Sequence, residues 1–77
     1  MKLINPDYAV MVKQARRQLS ISQEDLAREL GVSYATVNRW ENGRAKPSKL
    51  ARAQLDAFFK KMQEAGILDL SESGRVG

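Results

Sequence analysis

Between Ser22 and Gly43 the chain reads SQEDLARELGVSYATVNRWENG, and this stretch limits the fold more than any other. Ser22 is a helix-capping residue with Asp25 three positions on, a variant of the capping box. Leu26, Ala27 and Leu30 follow as one apolar helical face. Gly31 stops that helix, because the residue after a helix often needs a positive φ and glycine reaches it cheaply. Ser33 caps the next helix only two residues later, with Val37 and Trp40 pointing inward and Asn42-Gly43 as its stop. Two helices joined by so short a turn cannot lie antiparallel, so they cross steeply. Ala27 is small where they approach, and Leu26, Leu30, Val32, Val37 and Trp40 are apolar where a shared core needs them. The outer face of the second helix is unusual: Tyr34, Ala35, Asn38 and Arg39 stand where a solvated helix carries Glu and Lys.

The remainder reads as helix too. Asn5 as cap with Pro6 at the first helical position starts a first helix, and Tyr8, Val12, Ala15 and Leu19 recur along one face until Ser20-Ile21 breaks it. GRAKP is a loop. Ser48 caps a fourth helix reaching Ala65, with Leu50, Ala51, Leu55, Phe58, Phe59 and Met62 as its apolar positions. Gly66 and Ile67 suggest a Schellman ending in which Ile67 packs back on Met62. Strand signals are nearly absent. The expectation is an all-α fold, a compact four- to five-helix domain over residues 1–70, with a flexible tail at 71–77. Leu55, Phe58, Phe59, Met62, Ile67, Leu68 and Leu70 offer more apolar surface than a 77-residue core is expected to hide, which predicts a homodimer through the C-terminal helix.

Composition narrows the chemistry. The chain has no cysteine and no histidine, which removes disulfides, thiolates and the commonest metal ligands. With no histidine to activate them, Ser22, Ser33 and Ser48 are caps rather than nucleophiles. There is no Gly-rich phosphate loop and no carboxylate cluster. We therefore expect no enzyme, no cofactor and no metal. No apolar run approaches the ~20 residues that span a bilayer, and no signal segment is visible, so no membrane and a cytoplasmic location are expected. The net charge is +4 and unevenly placed. Arg39, Arg44, Lys46, Lys49 and Arg52 face Glu41 alone within one segment, which accounts for the whole excess. Such a segment is either a solvated face or a phosphate-facing surface.

The spacing of the two central helices is that of a helix-turn-helix, over residues 23–42. Residues 16–48 resemble the Xre-like family of phage repressors and Cro proteins, through Arg16, Leu19, SQEDLA, Leu30-Gly31-Val32-Ser33, ATVNRWENG and Pro47-Ser48. The resemblance implies that helix three, about 33–42, lies in the major groove of double-stranded DNA. Tyr34, Ala35, Asn38 and Arg39 then face base edges: Arg39 toward guanine, Asn38 toward adenine, Ala35 and the Tyr34 ring toward a thymine methyl. It implies backbone contacts from Gln23, Ser33, Thr36, Asn42, Arg44 and Lys46. It also implies a partly buried ion pair, Arg16 with Glu41, that fixes how helix three sits on helix one.

The expected function is a sequence-specific transcriptional regulator of repressor type. The alternative is an antitoxin or a targeting and interaction module with a protein partner, or a DNA-recognition domain excised from a larger protein.

Overall fold

The computed structural model describes residues 7–70. Among them the chain forms four α-helices and no strand: α1 (Tyr8–Leu19), α2 (Gln23–Leu30), α3 (Tyr34–Glu41) and α4 (Lys49–Glu64). The fold is all-α, as the sequence leads one to expect.

Each helix starts where a short polar side chain satisfies its orphan N–H groups. The Asp7 carboxylate accepts from the Ala9 and Val10 amides at 3.1 and 3.3 Å. Ser22, Ser33 and Ser48 cap α2, α3 and α4 from extended backbone. The capping box at α2 is complete: Asp25 N donates to Ser22 Oγ at 2.9 Å and Ser22 N donates to the Asp25 carboxylate at 3.1 Å. The expected start at Asn5-Pro6 lies outside the described residues. With extended Asp7 as the cap, α1 begins at Tyr8.

The helix ends also follow the sequence. Gly31, between α2 and α3, has φ 75°, in the left-handed region. At the end of α4, Gly66 N donates to Gln63 O and Ile67 N to Met62 O, the two bonds of the Schellman motif. Ser20 closes α1 the same way at φ 56°, without the freedom of glycine.

The core gathers Val12 and Ala15 from α1, Leu26, Ala27 and Leu30 from α2, Val37 and Trp40 from α3, and Leu55 and Phe59 from α4. Leu68 and Leu70 complete it. This corrects the expectation for the C-terminal segment. Of the seven apolar residues thought too many to hide, Leu55, Phe59, Leu68 and Leu70 are buried, and Phe58 and Met62 pack against the core; Ile67 alone stays exposed, at 54%. The segment after α4 folds back because Gln18 grips it by both amide ends. Gln18 Nε2 donates to Asp69 O, and Asp69 N donates to Gln18 Oε1, both at 2.8 Å. Leu50 is the second correction. It is 74% exposed, because the inward stripe of α4 runs through Ala51, Leu55 and Phe59, one helical step away from it.

Candidate functional site

The outer face of α3 presents Tyr34, 51% exposed, with Ala35 and Arg39 also exposed. Arg39 makes no ion pair among the described residues, and α3 has no acid in its first turn. Beyond α3, Asn42, Arg44 and Lys46 are exposed on the loop to α4, while Pro47 is buried and anchors that loop. Gly43 at φ 72° lets Arg44 N turn back to Arg39 O at 2.9 Å. The loop thus leaves α3 in one defined direction, with its two cations on the outside.

The one acid of α3 is treated differently from every other acid in the fold. Glu41 is 5% exposed and is the only buried charged residue among those described. Arg16 of α1 meets it with two donors: Nε reaches Oε2 at 2.6 Å and Nη2 reaches Oε1 at 2.9 Å. The third Arg16 donor used, Nη1, goes to Ile21 O at 3.1 Å. This bidentate pairing is the strong form of the arginine–carboxylate contact. Burial pulls the Glu41 carboxyl upward, but hydrogen bonds from Arg16 and Gln23 outweigh it and hold the pKa below the ordinary glutamate value. The hydrogen bond to Glu41 likewise raises Arg16. Among the described residues, no buried side-chain nitrogen or oxygen is left without a partner.

From Glu41 a chain of amides runs outward. Gln23 Nε2 donates to Glu41 Oε1 at 3.0 Å. Asn38 Nδ2 donates to Gln23 Oε1 at 3.1 Å. Asn42 Nδ2 donates to Asn38 Oδ1 at 3.0 Å. Gln23 and Asn38 are therefore half-buried and mutually engaged, not free-standing. Ser33 and Thr36 are also occupied with each other, Oγ to Oγ1 at 2.8 Å, while Ser33 Oγ takes the Thr36 amide.

The sequence-predicted residues thus divide. Tyr34, Ala35, Arg39, Arg44 and Lys46 present unpaired, exposed side chains. Gln23, Asn38, Asn42, Arg16 and Glu41 form one linked polar assembly. Sequence reasoning expected the Arg16–Glu41 pair but missed the amides joined to it, because spacing shows which residues share a helix face but not which amides meet across two helices. It also missed the Gln18–Asp69 clamp and the Tyr8 hydroxyl donating to Asp56 at 2.9 Å, for which the sequence carries no local signal.

The surface around α3 has the right physics for a polyanion. Exposed cations stand on the helix and its following loop, and the one carboxylate of α3 is buried and paired with Arg16. No group of His, Cys, Asp or Glu able to hold a metal ion occurs among the described residues, and no helix there is long and apolar enough to cross a membrane.

Comparison with known proteins agrees. A profile described as helix-turn-helix matches residues 12–59, which spans α1 to most of α4 and well over half the chain. The type II methyltransferase M1.ScrFI of Lactococcus lactis subsp. cremoris is 38% identical over 47 residues, covering 57% of this chain and 12% of the methyltransferase. The similarity therefore concerns a small part of that larger protein. No solved structure matches.

Proposed function

As the chain belongs to the Xre-like helix-turn-helix family, a family of DNA-binding proteins, we propose that it is a sequence-specific transcriptional regulator, of repressor type, that places α3 in the major groove. The observation that carries this reading is the outer face of α3: Tyr34, Ala35 and Arg39 project unpaired, while its only acid is buried against Arg16. Arg39 supplies two parallel donors that suit guanine O6 and N7, and Ala35 and the Tyr34 ring suit a thymine methyl. Ser33, Thr36, Gln23, Asn42, Arg44 and Lys46 lie at the edges of that face and hold the phosphates.

A second reading has its own support. The methyltransferase relative is about eight times longer than the matched stretch, which supports reading this unit as a DNA-recognition domain excised from a larger protein. Both readings require base recognition by α3 and differ in what the bound DNA is for. A homodimer on a two-fold site, with two copies of α3 roughly 34 Å apart, rests on Leu50 and Ile67 alone. Sedimentation with and without DNA tests it, and a monomer protecting one half-site rules it out.

Selection from a random DNA pool, followed by salt titration on the selected and a scrambled site, tests the central claim. Base contacts carry sequence information and phosphate contacts do not. Arg39→Ala should lose about 1–3 kcal/mol on the selected site and much less on the scrambled one. Lys46→Ala should weaken both alike and shallow the slope of log K against log[salt] by about 0.9. A mild, uniform loss for both variants would mean a nonspecific basic surface.

A further inference from the structure

The amide chain has a direction, and the direction has a cause. Asparagine and glutamine each end in one donor and one acceptor group that can exchange places by a flip. A carboxylate can only accept. Since Glu41 ends the chain, Gln23 must turn its NH2 toward it, at 3.0 Å. That leaves the Gln23 carbonyl for the Asn38 NH2, at 3.1 Å, and the Asn38 carbonyl for the Asn42 NH2, at 3.0 Å. One buried charge, held by Arg16, thus orients three side-chain amides in series. Each amide spends one N–H hydrogen within the chain and keeps one.

The two outer members are the residues assigned above to DNA phosphates: Gln23 opens α2 and Asn42 follows the end of α3. Asn38 sits between them, half-buried, with both ends of its amide in use. Bidentate pairing with adenine would need those same two atoms turned together toward a base edge. We infer that Asn38 is a positioning residue and not a base reader: it joins Gln23 to Asn42, so that the two phosphate contacts on either side of α3 are set as a unit by Glu41. This deepens the DNA-binding reading and rests on it. Base recognition then falls to Tyr34, Ala35 and Arg39.

The test begins with the DNA pool and four variants: Asn38→Ala, Gln23→Ala, Asn42→Ala and the double variant Asn38→Ala with Gln23→Ala. If Asn38 positions, Asn38→Ala binds the selected and the scrambled site about three- to tenfold more weakly, the loss expected for a neutral hydrogen bond or two. Its selected consensus is unchanged, and so is its salt slope, because the amides carry no charge. The double variant binds about as well as the weaker single variant, because the two losses are one loss. In the DNA-free protein, the side-chain NH2 resonances of Gln23 and Asn42 both move in Asn38→Ala. Asn42→Ala, at an exposed site, reproduces the uniform weakening should Asn38→Ala fold poorly. The inference is overturned if Asn38→Ala erases one A·T preference, or if the Gln23 resonance stays put. Failure of the wild-type chain to enrich any sequence overturns the DNA-reading assignment itself, and this inference with it.

Discussion

α2 and α3 are the same helix built twice with different exteriors. Each has eight residues, each is capped by a serine, and the caps stand eleven residues apart. Matched position by position, the inward sides agree: Leu26 and Val37, both fully buried, occupy the fourth place. The outsides do not. α2 shows Glu24, Asp25 and Glu29, and its Arg28 is tied to Asp25 at 3.2 Å. α3 shows Tyr34, Ala35 and an unpaired Arg39 in the matching sixth place. In the eighth place α2 buries Leu30, whereas α3 buries Glu41 against Arg16. Packing therefore explains what the two helices share, and not where they differ. An acidic exterior repels DNA, and a helix stripped of exposed acid accepts it. On charge, the comparison supports the proposal that α3 contacts DNA and α2 backs it.

The shared side of the comparison predicts the largest effect. Leu26→Ala opens a cavity in a core with little room to collapse and should cost about 2–5 kcal/mol. Val37→Ala removes less volume and should cost less. Because the two residues meet in one core, denaturation followed by Trp40 fluorescence, which reports α3, should coincide with that followed by far-UV circular dichroism. Separate transitions in Leu26→Ala would show that the helices do not stand or fall together.

The eighth position comes next. Glu41→Ala leaves Arg16 and the Gln23 amide without their acceptor. Breaking a fully buried pair costs about 3–5 kcal/mol; with Arg16 at 25% exposure, about 2–3 kcal/mol is expected. The double replacement Arg16→Met with Glu41→Leu, which makes α3 resemble α2 here, should recover much of it. The same pair sets a pH dependence. Glu41 is depressed in the folded chain and returns to about 4.3 on unfolding, so the unfolded state binds its proton first. Its contribution is complete well above that value and drains away as pH falls through the unfolded and then the folded pKa. Acid titration of the double variant should lack this component. A loss of only a few tenths for Glu41→Ala in urea would reduce the pair to a surface contact.

Much of this was legible in the sequence, for reasons that are local. Ser22 with Asp25, Gly31, and Gly66 with Ile67 act within four or five residues, so their bonds follow from spacing alone. Val37 and Trp40 followed from helical period. What was hidden is tertiary. Leu50 reads as apolar and in phase, yet the first turn of α4 presents it to solvent. Leu68 and Leu70 read as surplus surface because nothing local says that Gln18 will draw Asp69 back across α1. Asn38 reads as a groove-facing amide because its partner, Gln23, is fifteen residues away on another helix. The charge of the outer face of α3 and the Arg16–Glu41 pair behind it were readable; the amide bonds from Gln23 to Asn42 were not.

The sixth position tests the outer faces directly. Arg28 and Arg39 are the same residue type at the same place on the two helices, one paired and one free. Arg28→Ala should leave DNA affinity within the error of a fluorescence-anisotropy titration. Arg39→Ala should cost about 1–3 kcal/mol on the selected site. Equal losses would mean that both arginines act through net charge, and the distinction between supporting and contacting helix would collapse.

The smallest effect makes α3 more like α2 at its start. In α2 the third residue, Asp25, returns a carboxylate to the Ser22 amide, and that bond, with the serine hydroxyl and Arg28, holds the Asp25 pKa below its ordinary value. In α3 the third residue is Thr36, whose hydroxyl meets Ser33 Oγ and leaves the Ser33 amide outside any box. Thr36→Asp should complete the box and place an acid at the positive end of the helix dipole, raising stability by about 0.5 kcal/mol. The same carboxylate would stand where the proposed interface meets phosphate. Like charges ~4 Å apart in water repel by about 1 kcal/mol, so binding to any DNA should weaken roughly fivefold at low salt and recover as salt screens the repulsion. Stability and binding would thus move in opposite directions from one substitution. That outcome explains why the second helix forgoes the reciprocal carboxylate that the first one uses: the acid that would steady it would also turn it from the DNA. A melting temperature that rises with no loss of binding would place the first turn of α3 away from phosphate and remove Ser33 and Thr36 from the contact set.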